Sequence, residues 1–145
     1  MSVALYNPDI LRLAAEMPHG ARLPAPMGSS EKRSAVCGSR VTVDVDLDAD
    51  GRVAAVGMLV RACALGQAAS SLLAGGAVGR TPSELAEARD DLARWLTQGG
   101  AAPDWPGLGV FEPARAYPAR HASIRLAFEA AAEAAEQASA KAAAA

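Results

Sequence analysis

Two cysteines, Cys37 and Cys63, are the residues of this chain best suited to chemistry, and each sits where a strand-type segment meets a turn or a helix start. Cys37 lies in Ala-Val-Cys-Gly-Ser-Arg, just before the alternating run Val41-Thr42-Val43-Asp44-Val45-Asp46-Leu47. Cys63 lies in Arg-Ala-Cys-Ala-Leu-Gly-Gln, after an apolar run and at the head of a helical one. A helix N-terminus carries partial positive charge and unpaired N–H groups, so a thiol placed there ionises and ligates more readily at neutral pH. Arg40 and Arg61 push the same way. One cysteine alone is as often a small buried hydrophobe; two of them, with glycines close by at element ends, point to activated thiols that attack sulfur or hold a soft metal.

Thiols need elements to hold them in place. Asn7-Pro8 reads as an N-cap followed by proline at the first helical position, and Ile10, Leu11, Leu13, Ala14 and Met17 form an apolar stripe that stops at Pro18. From His19 to Ser34 the prolines, glycines, serines and single charges follow no period, which predicts a loop wrapping the domain and no role for His19. Val41, Val43, Val45 and Leu47 then alternate with Thr42, Asp44, Asp46 and Asp48, the period of a strand with one solvated face. Asp48-Ala49-Asp50-Gly51 is turn chemistry, and Val53 to Val60 reads as the returning strand of a hairpin. Asp44, Asp46, Asp48 and Asp50 lack the glycine and distal glutamate of a calcium loop, and their alternation fits the solvated strand face instead.

Ala64 to Ala74 has the small residues and spacing of a closely packed helix and is expected to stop at Gly75-Gly76. Thr81-Pro82-Ser83-Glu84 is a capping box, and Leu85, Ala88, Leu92, Trp95 and Leu96 carry the apolar stripe of its helix to Gly99-Gly100. Residues 101 to 118 are dense in proline and glycine and read as a loop pinned by Trp105, Leu108, Val110, Phe111 and Tyr117. A last helix, beginning near His121, runs through Ile124, Leu126, Ala127 and Phe128, and about residues 131–145 form an Ala-rich tail expected to fray. These elements predict a single α+β domain over residues 1–145, with a small antiparallel sheet of about three strands and helices packed on one face.

Composition removes several classes of function. A chain of 145 residues that is 51% hydrophobic builds one core, not two. Net charge of −2 and a pI near 5.6 supply no basic field for a phosphate backbone, so nucleic acid is not expected as a partner. No stretch approaches the roughly 20 apolar residues of a membrane span, and Pro8 and Asp9 interrupt any signal-peptide core. The expectation is a cytoplasmic protein that engages no membrane and keeps its cysteines as thiols or ligands instead of a disulfide. A Gly-x-Ser-x-Gly elbow is absent, which leaves Ser70, Ser71 and Ser123 without the setting of a hydrolase nucleophile. Gly75-Gly76-Ala77-Val78-Gly79 has the order of neither phosphate-loop motif.

The succession of helix, Cys-Gly loop, hairpin, cysteine at a helix start, capped helix and a Pro-Ala-Arg stretch opening a final helix resembles the iron-sulfur assembly scaffold family. That family comprises the U-type scaffolds of the Isc and Suf systems and the N-terminal domain of NifU. Its most specific parts here are Cys37-Gly38, a second cysteine twenty-six positions later, Cys63-Ala64-Leu65-Gly66-Gln67-Ala68-Ala69-Ser70-Ser71, and Pro118-Ala119-Arg120 leading to Leu126-Ala127-Phe128. The Gln67 helix and the extra Pro/Gly segment before Pro118 look most like the Suf-type branch. In the family the site is three cysteines, an aspartate two residues after the first, and a histidine or lysine just before the third. The resemblance puts Ser39 at the aspartate, Ser123 at the third cysteine and Ala122 before it, with His121 one residue out of register. A serine hydroxyl is a hard donor that keeps its proton near neutral pH, so Ser39 and Ser123 do not replace aspartate and cysteine at equal affinity.

The resemblance implies a divergent scaffold or carrier that binds iron, a labile iron-sulfur cluster or zinc through Cys37 and Cys63. His121, Ser123 or Ser39 would complete the site, and a cysteine desulfurase and acceptor apoproteins would be the partners. His121 has an equally plain reading as a solvent-facing residue at a helix start. Two alternatives stand beside the scaffold: a sulfur acceptor in which Cys63 or Cys37 attacks a persulfide, which is transferase chemistry, and a regulatory or adaptor module that keeps the fold without binding metal.

Overall fold

The computed structural model describes residues 5–17, 20–35 and 38–144. Helix α1 (Pro8–Glu16) begins where Asn7 accepts the Ile10 N–H on its side-chain oxygen at 3.0 Å. A three-stranded antiparallel sheet follows in the order β1 (Gly28–Arg33), β2 (Arg40–Leu47), β3 (Val53–Arg61). Helices α2 (Ala64–Ala77) and α3 (Pro82–Gln98), a 3-10 helix (Leu108–Ala116) and the long α4 (Pro118–Ala144) complete the α+β fold. Val41, Val43 and Val45 are fully buried on the sheet face that α4 covers, and α2 and α3 pack on α4 in turn. Among the described residues no helix is long and apolar enough to cross a membrane.

The strand β1 overturns the reading of residues 19 to 34 as one loop. Gly-Ser-Ser-Glu-Lys-Arg has no apolar alternation because its inward contacts are polar. Ser30 donates to Glu133 of α4 at 2.6 Å, Lys32 pairs with the same carboxylate at 2.9 Å, and the Ser29 N–H reaches Gln137 at 3.1 Å. Gly28 lies so close to α4 that a Cβ there would run into the Ala134 carbonyl and the Ala138 amide. That contact also accounts for Ala134 and Ala138, where helix and strand approach without bulk between them, and Ala130, Ala131 and Ala135 are buried in the same stretch of α4. The helix continues through this stretch to Ala144, with residues 139–144 exposed.

The second face of the hairpin is not solvated as its alternation suggested. Asp44 has no exposed side-chain surface. It accepts two bonds from Arg22 (2.7 and 3.0 Å), one from the Ser29 hydroxyl (2.7 Å) and one from the Leu23 N–H (3.0 Å). Asp46 accepts from the Met27 N–H at 2.8 Å. The aspartates therefore fasten residues 21–27 over the outer face as a strap, and the strap's backbone passes so close to β3 that only glycine fits at Gly57. Burial pushes the Asp44 carboxyl up, but the hydrogen bonds from Arg22, Ser29 and Leu23 and the Arg22 charge outweigh it and hold the group below its ordinary value.

Two helix boundaries also differ from expectation. Helix α2 runs through Gly75 and Gly76 instead of stopping there. Gly76 is a packing site: a Cβ on it would stand 2.9 Å from the Trp105 ring, whose N–H donates to the Leu72 carbonyl at 2.9 Å. Residues 101–118 contain the 3-10 helix, and Trp105 pins the segment edge-on to Phe128 with ring centres 5.1 Å apart, under the Arg80 guanidinium at 3.9 Å. The capping box of α3 is present in full, Thr81 accepting from the Glu84 N–H and Glu84 from the Thr81 N–H.

Candidate functional site

Both cysteine-bearing segments leave the same end of the sheet. Strand register places Arg33 opposite Arg40 and Arg40 opposite Arg61, so the β1–β2 connection and the exit of β3 are neighbours across three strands. The connection closes through the Ser34 N–H on the Ser39 carbonyl at 2.9 Å and the Gly38 N–H on the Ser34 carbonyl at 3.0 Å. Gly38 turns the chain at φ 73°, a left-handed conformation that glycine adopts without strain. Cys37 and His19 lie outside the described residues. Ser39, next to the turn, is buried at 4% exposure.

Cys63 is the N-cap of α2, with extended backbone (φ −66°, ψ 172°) and no side-chain bond to the helix amides. Its carbonyl accepts the first helical bond from the Gln67 N–H at 2.9 Å, and Gln67 also donates its side-chain amide to the Ala62 carbonyl at 2.9 Å. The half-buried thiol thus remains uncommitted to capping while the glutamine ties down the turn that carries it.

Gly66, in the first turn of α2, brings in α4. A Cβ on Gly66 would stand 2.7 Å from the Ala62 side chain, 3.3 Å from the Ser123 carbonyl and 3.9 Å from the Ser123 Cβ. Ser123 is therefore held against the helix start that Cys63 caps, buried at 2% exposure. Ser39 and Ser123 both have partners within the fold.

His121 behaves differently. Residues two apart on a helix do not share a face, and His121 is buried against the 3-10 helix, its Nε2 3.1 Å from the Arg115 carbonyl. A carbonyl only accepts, so Nε2 is the nitrogen that donates in this contact. The solvent-facing reading of this histidine is thereby corrected: the chain folds the 108–116 segment, invisible as an element in the sequence, over it. Among the described residues, no three His, Cys, Asp or Glu side chains gather closely enough to hold a metal ion.

Sequence reasoning noted Arg40 and Arg61 only as charges near the thiols and passed over Arg33. Their alignment into one row depends on the register of two strand pairs, one of which involves the strand that carries no apolar period.

No protein-family model and no curated protein matches the chain. Among solved structures, the N-terminal part of a nitrogen-fixing NifU-like protein from Brucella abortus superposes with a TM-score of 0.90 at 40% identity, covering 96% of this chain and 97% of that one. A putative iron-sulfur cluster assembly scaffold protein for the SUF system from Fervidobacterium islandicum AW-1 matches with a TM-score of 0.83 at 18% identity, over 93% and 99% of the two chains. A hypothetical protein matches with a TM-score of 0.78 at 20% identity, over 92% and 98%. The last two are likenesses of fold.

Proposed function

Because the chain belongs to the NifU/IscU/SufU-like scaffold family, we propose that it acts in iron-sulfur cluster assembly as a scaffold or carrier, with iron or a labile cluster as transient cargo held by Cys37 and Cys63. The observation that carries this reading is Cys63 itself, an uncapped thiol at a helix N-terminus with Ser123 packed against the same turn. Thiolates select iron-sulfur clusters and zinc over harder cations. With serine at two of the positions where the resemblance places ionisable donors, the cargo is held weakly and released readily, and zinc is the competing occupant. A cysteine desulfurase and acceptor apoproteins are the proposed partners, in the cytoplasm.

The test is anaerobic purification followed by iron, sulfide and zinc analysis and an absorption spectrum, on the native chain, Cys63→Ala and Cys37→Ala. The native chain is expected to retain iron with sulfide, or zinc, in substoichiometric amount, and each variant to lose it. Native protein that neither retains nor takes up either metal would remove the scaffold reading.

The uncommitted thiol also favours a second reading. The Cys63 thiolate could attack the outer sulfur of a desulfurase persulfide, forming a new S–S bond and releasing the desulfurase thiolate, so that Cys63 leaves as the persulfide with no net redox change. Mass spectrometry after incubation with a persulfidated desulfurase checks it: an added sulfur on Cys63, absent from Cys63→Ala, is the expected result.

A further inference from the structure

At the cysteine end of the outer sheet face, beyond the reach of the strap, Arg33, Ser34, Ala35, Gly38, Arg40 and Arg61 line an open groove of about 490 Å³. Directly opposed residues on neighbouring strands point to the same side, so register places the three arginines in one row on one face. Like charges placed opposite one another across strands repel. The carboxylate that answers them, Glu31, is shared between Arg33 and Arg40 at 3.4 Å each, longer than the 2.7–2.9 Å of a close charge-assisted bond. Arg61 is exposed and has no partner among the described residues. Three cations thus face one distant anion.

Ser34 is a second, independent observation. It is buried to 5% exposure, it lines the groove, and its hydroxyl has no hydrogen-bond partner among the described residues. Buried hydroxyls are normally paired. A hydroxyl and three guanidinium forks together offer donors in excess of acceptors, and Arg forks match the two oxygens of a carboxylate or phosphate group.

We propose that Arg33, Arg40, Arg61 and the Ser34 hydroxyl form a binding site for a compact oxyanion, a phosphate or carboxylate group, beside the thiol-bearing end of the sheet. The groove admits either a free anion or an acidic side chain presented by another protein. The anion relieves the repulsion along the arginine row and satisfies the serine.

The experiment follows backbone and arginine side-chain N–H signals of the full chain by NMR while inorganic phosphate, or a short Glu-rich peptide, is added at ionic strength held constant with NaCl. Saturable shifts at Arg33, Ser34, Gly38, Arg40 and Arg61 are expected. Arg61→Gln, which breaks no ion pair among the described residues, should weaken binding about tenfold, the worth of one charge-assisted bond. Ser34→Ala should weaken it several-fold. Arg94→Gln, on α3 where Arg94 pairs with Asp91 outside the groove, should leave affinity unchanged. Saturation by phosphate alone assigns a free anion, and saturation by the peptide with phosphate competing assigns a protein carboxylate; either supports the site. Shifts that grow linearly without saturating, or equal affinity in native chain and Arg61→Gln, would mean charge screening only and overturn it. The measurement reads arginine and backbone N–H signals and no metal content, so its failure is distinguishable from a failure of the chain to carry iron.

Discussion

Ser123 packs against the first turn of α2, so exchanging its oxygen for sulfur adds a soft donor at the helix start that Cys63 caps, with little change in buried volume. Resistance of bound iron or zinc to a chelator should therefore rise from native chain to Ser123→Cys and again to Ser123→Cys with Ser39→Asp. Each step should exceed the roughly tenfold that a lost outer-shell partner costs. Equal retention in all three proteins would show that these serines do not stand at ligand positions. Asp44 supports a prediction of another kind, because its depressed carboxyl value ties the strap to pH. A group depressed by folding stabilises fully above its unfolded value, near 4 for aspartate, and loses that contribution as pH falls through the folded value. Asp44→Asn, which keeps the shape and removes the charge, is expected to cost about 1.5–3 kcal/mol at pH 7. In urea unfolding the gap between native and variant should shrink steadily below about pH 4; a gap of equal size at pH 3 and pH 7 would count against the Arg22–Asp44 account.

Neighbouring glycines in α2 separate what a helix wants from what its packing demands. Nothing stands within 4 Å of a Cβ on Gly75, so Gly75→Ala gains helix propensity and should stabilise by about 0.5–1 kcal/mol. On Gly76 the same methyl meets the Trp105 ring, and Gly76→Ala should destabilise by about 1–3 kcal/mol through overpacking. Opposite signs in thermal or urea unfolding are the check. This pair also marks how far elements can be read from sequence. The β2–β3 hairpin was legible because Val41, Val43 and Val45 alternate, the capping box of α3 because its partners lie three residues apart, and the N-cap position of Cys63 because a helical run begins there. Two consecutive glycines read as a helix stop because nothing local announces that Trp105, some thirty residues on, fills the space above one of them. Strand β1 was hidden for a similar reason: its partners in α4 are Glu133 and Gln137, so the signal that usually betrays a strand, apolar alternation, was never written into it.

At the scale of the whole molecule, α4 is the element on which the others depend, since it packs on β1, β2, α2, α3 and the 3-10 helix and carries Ser123 and His121 to their places. Why the site could be read only in part follows from this. Cys63 and Ser123 are recognisable as residues, but what brings Ser123 to the first turn of the helix that Cys63 caps is the close approach of two helices at Gly66, and what aligns the arginine row is the register of both strand pairs. The Ala-rich stretch from residue 131 is part of the same support: Ala131, Ala134, Ala135 and Ala138 are buried, and Glu133 holds Ser30 and Lys32 of the edge strand. Truncating the chain after Ala138, which removes the exposed residues 139–144 with the terminal Ala145, should leave unfolding within about 0.5 kcal/mol of the intact chain, as changes away from packed features do. Truncating after Ala130 strips the cover from Gly28 and the polar anchors from β1 together, and the loss should exceed the 3 kcal/mol or so typical of even a harmful single substitution. Because β1 begins the connection that leads to Gly38 and Ser39, the longer truncation should also abolish the phosphate response of the arginine groove, while the shorter one leaves it intact. Urea unfolding of the two truncated chains beside the full one decides the matter: equal stability of all three would mean that the C-terminal half of α4 rests on the sheet without holding it.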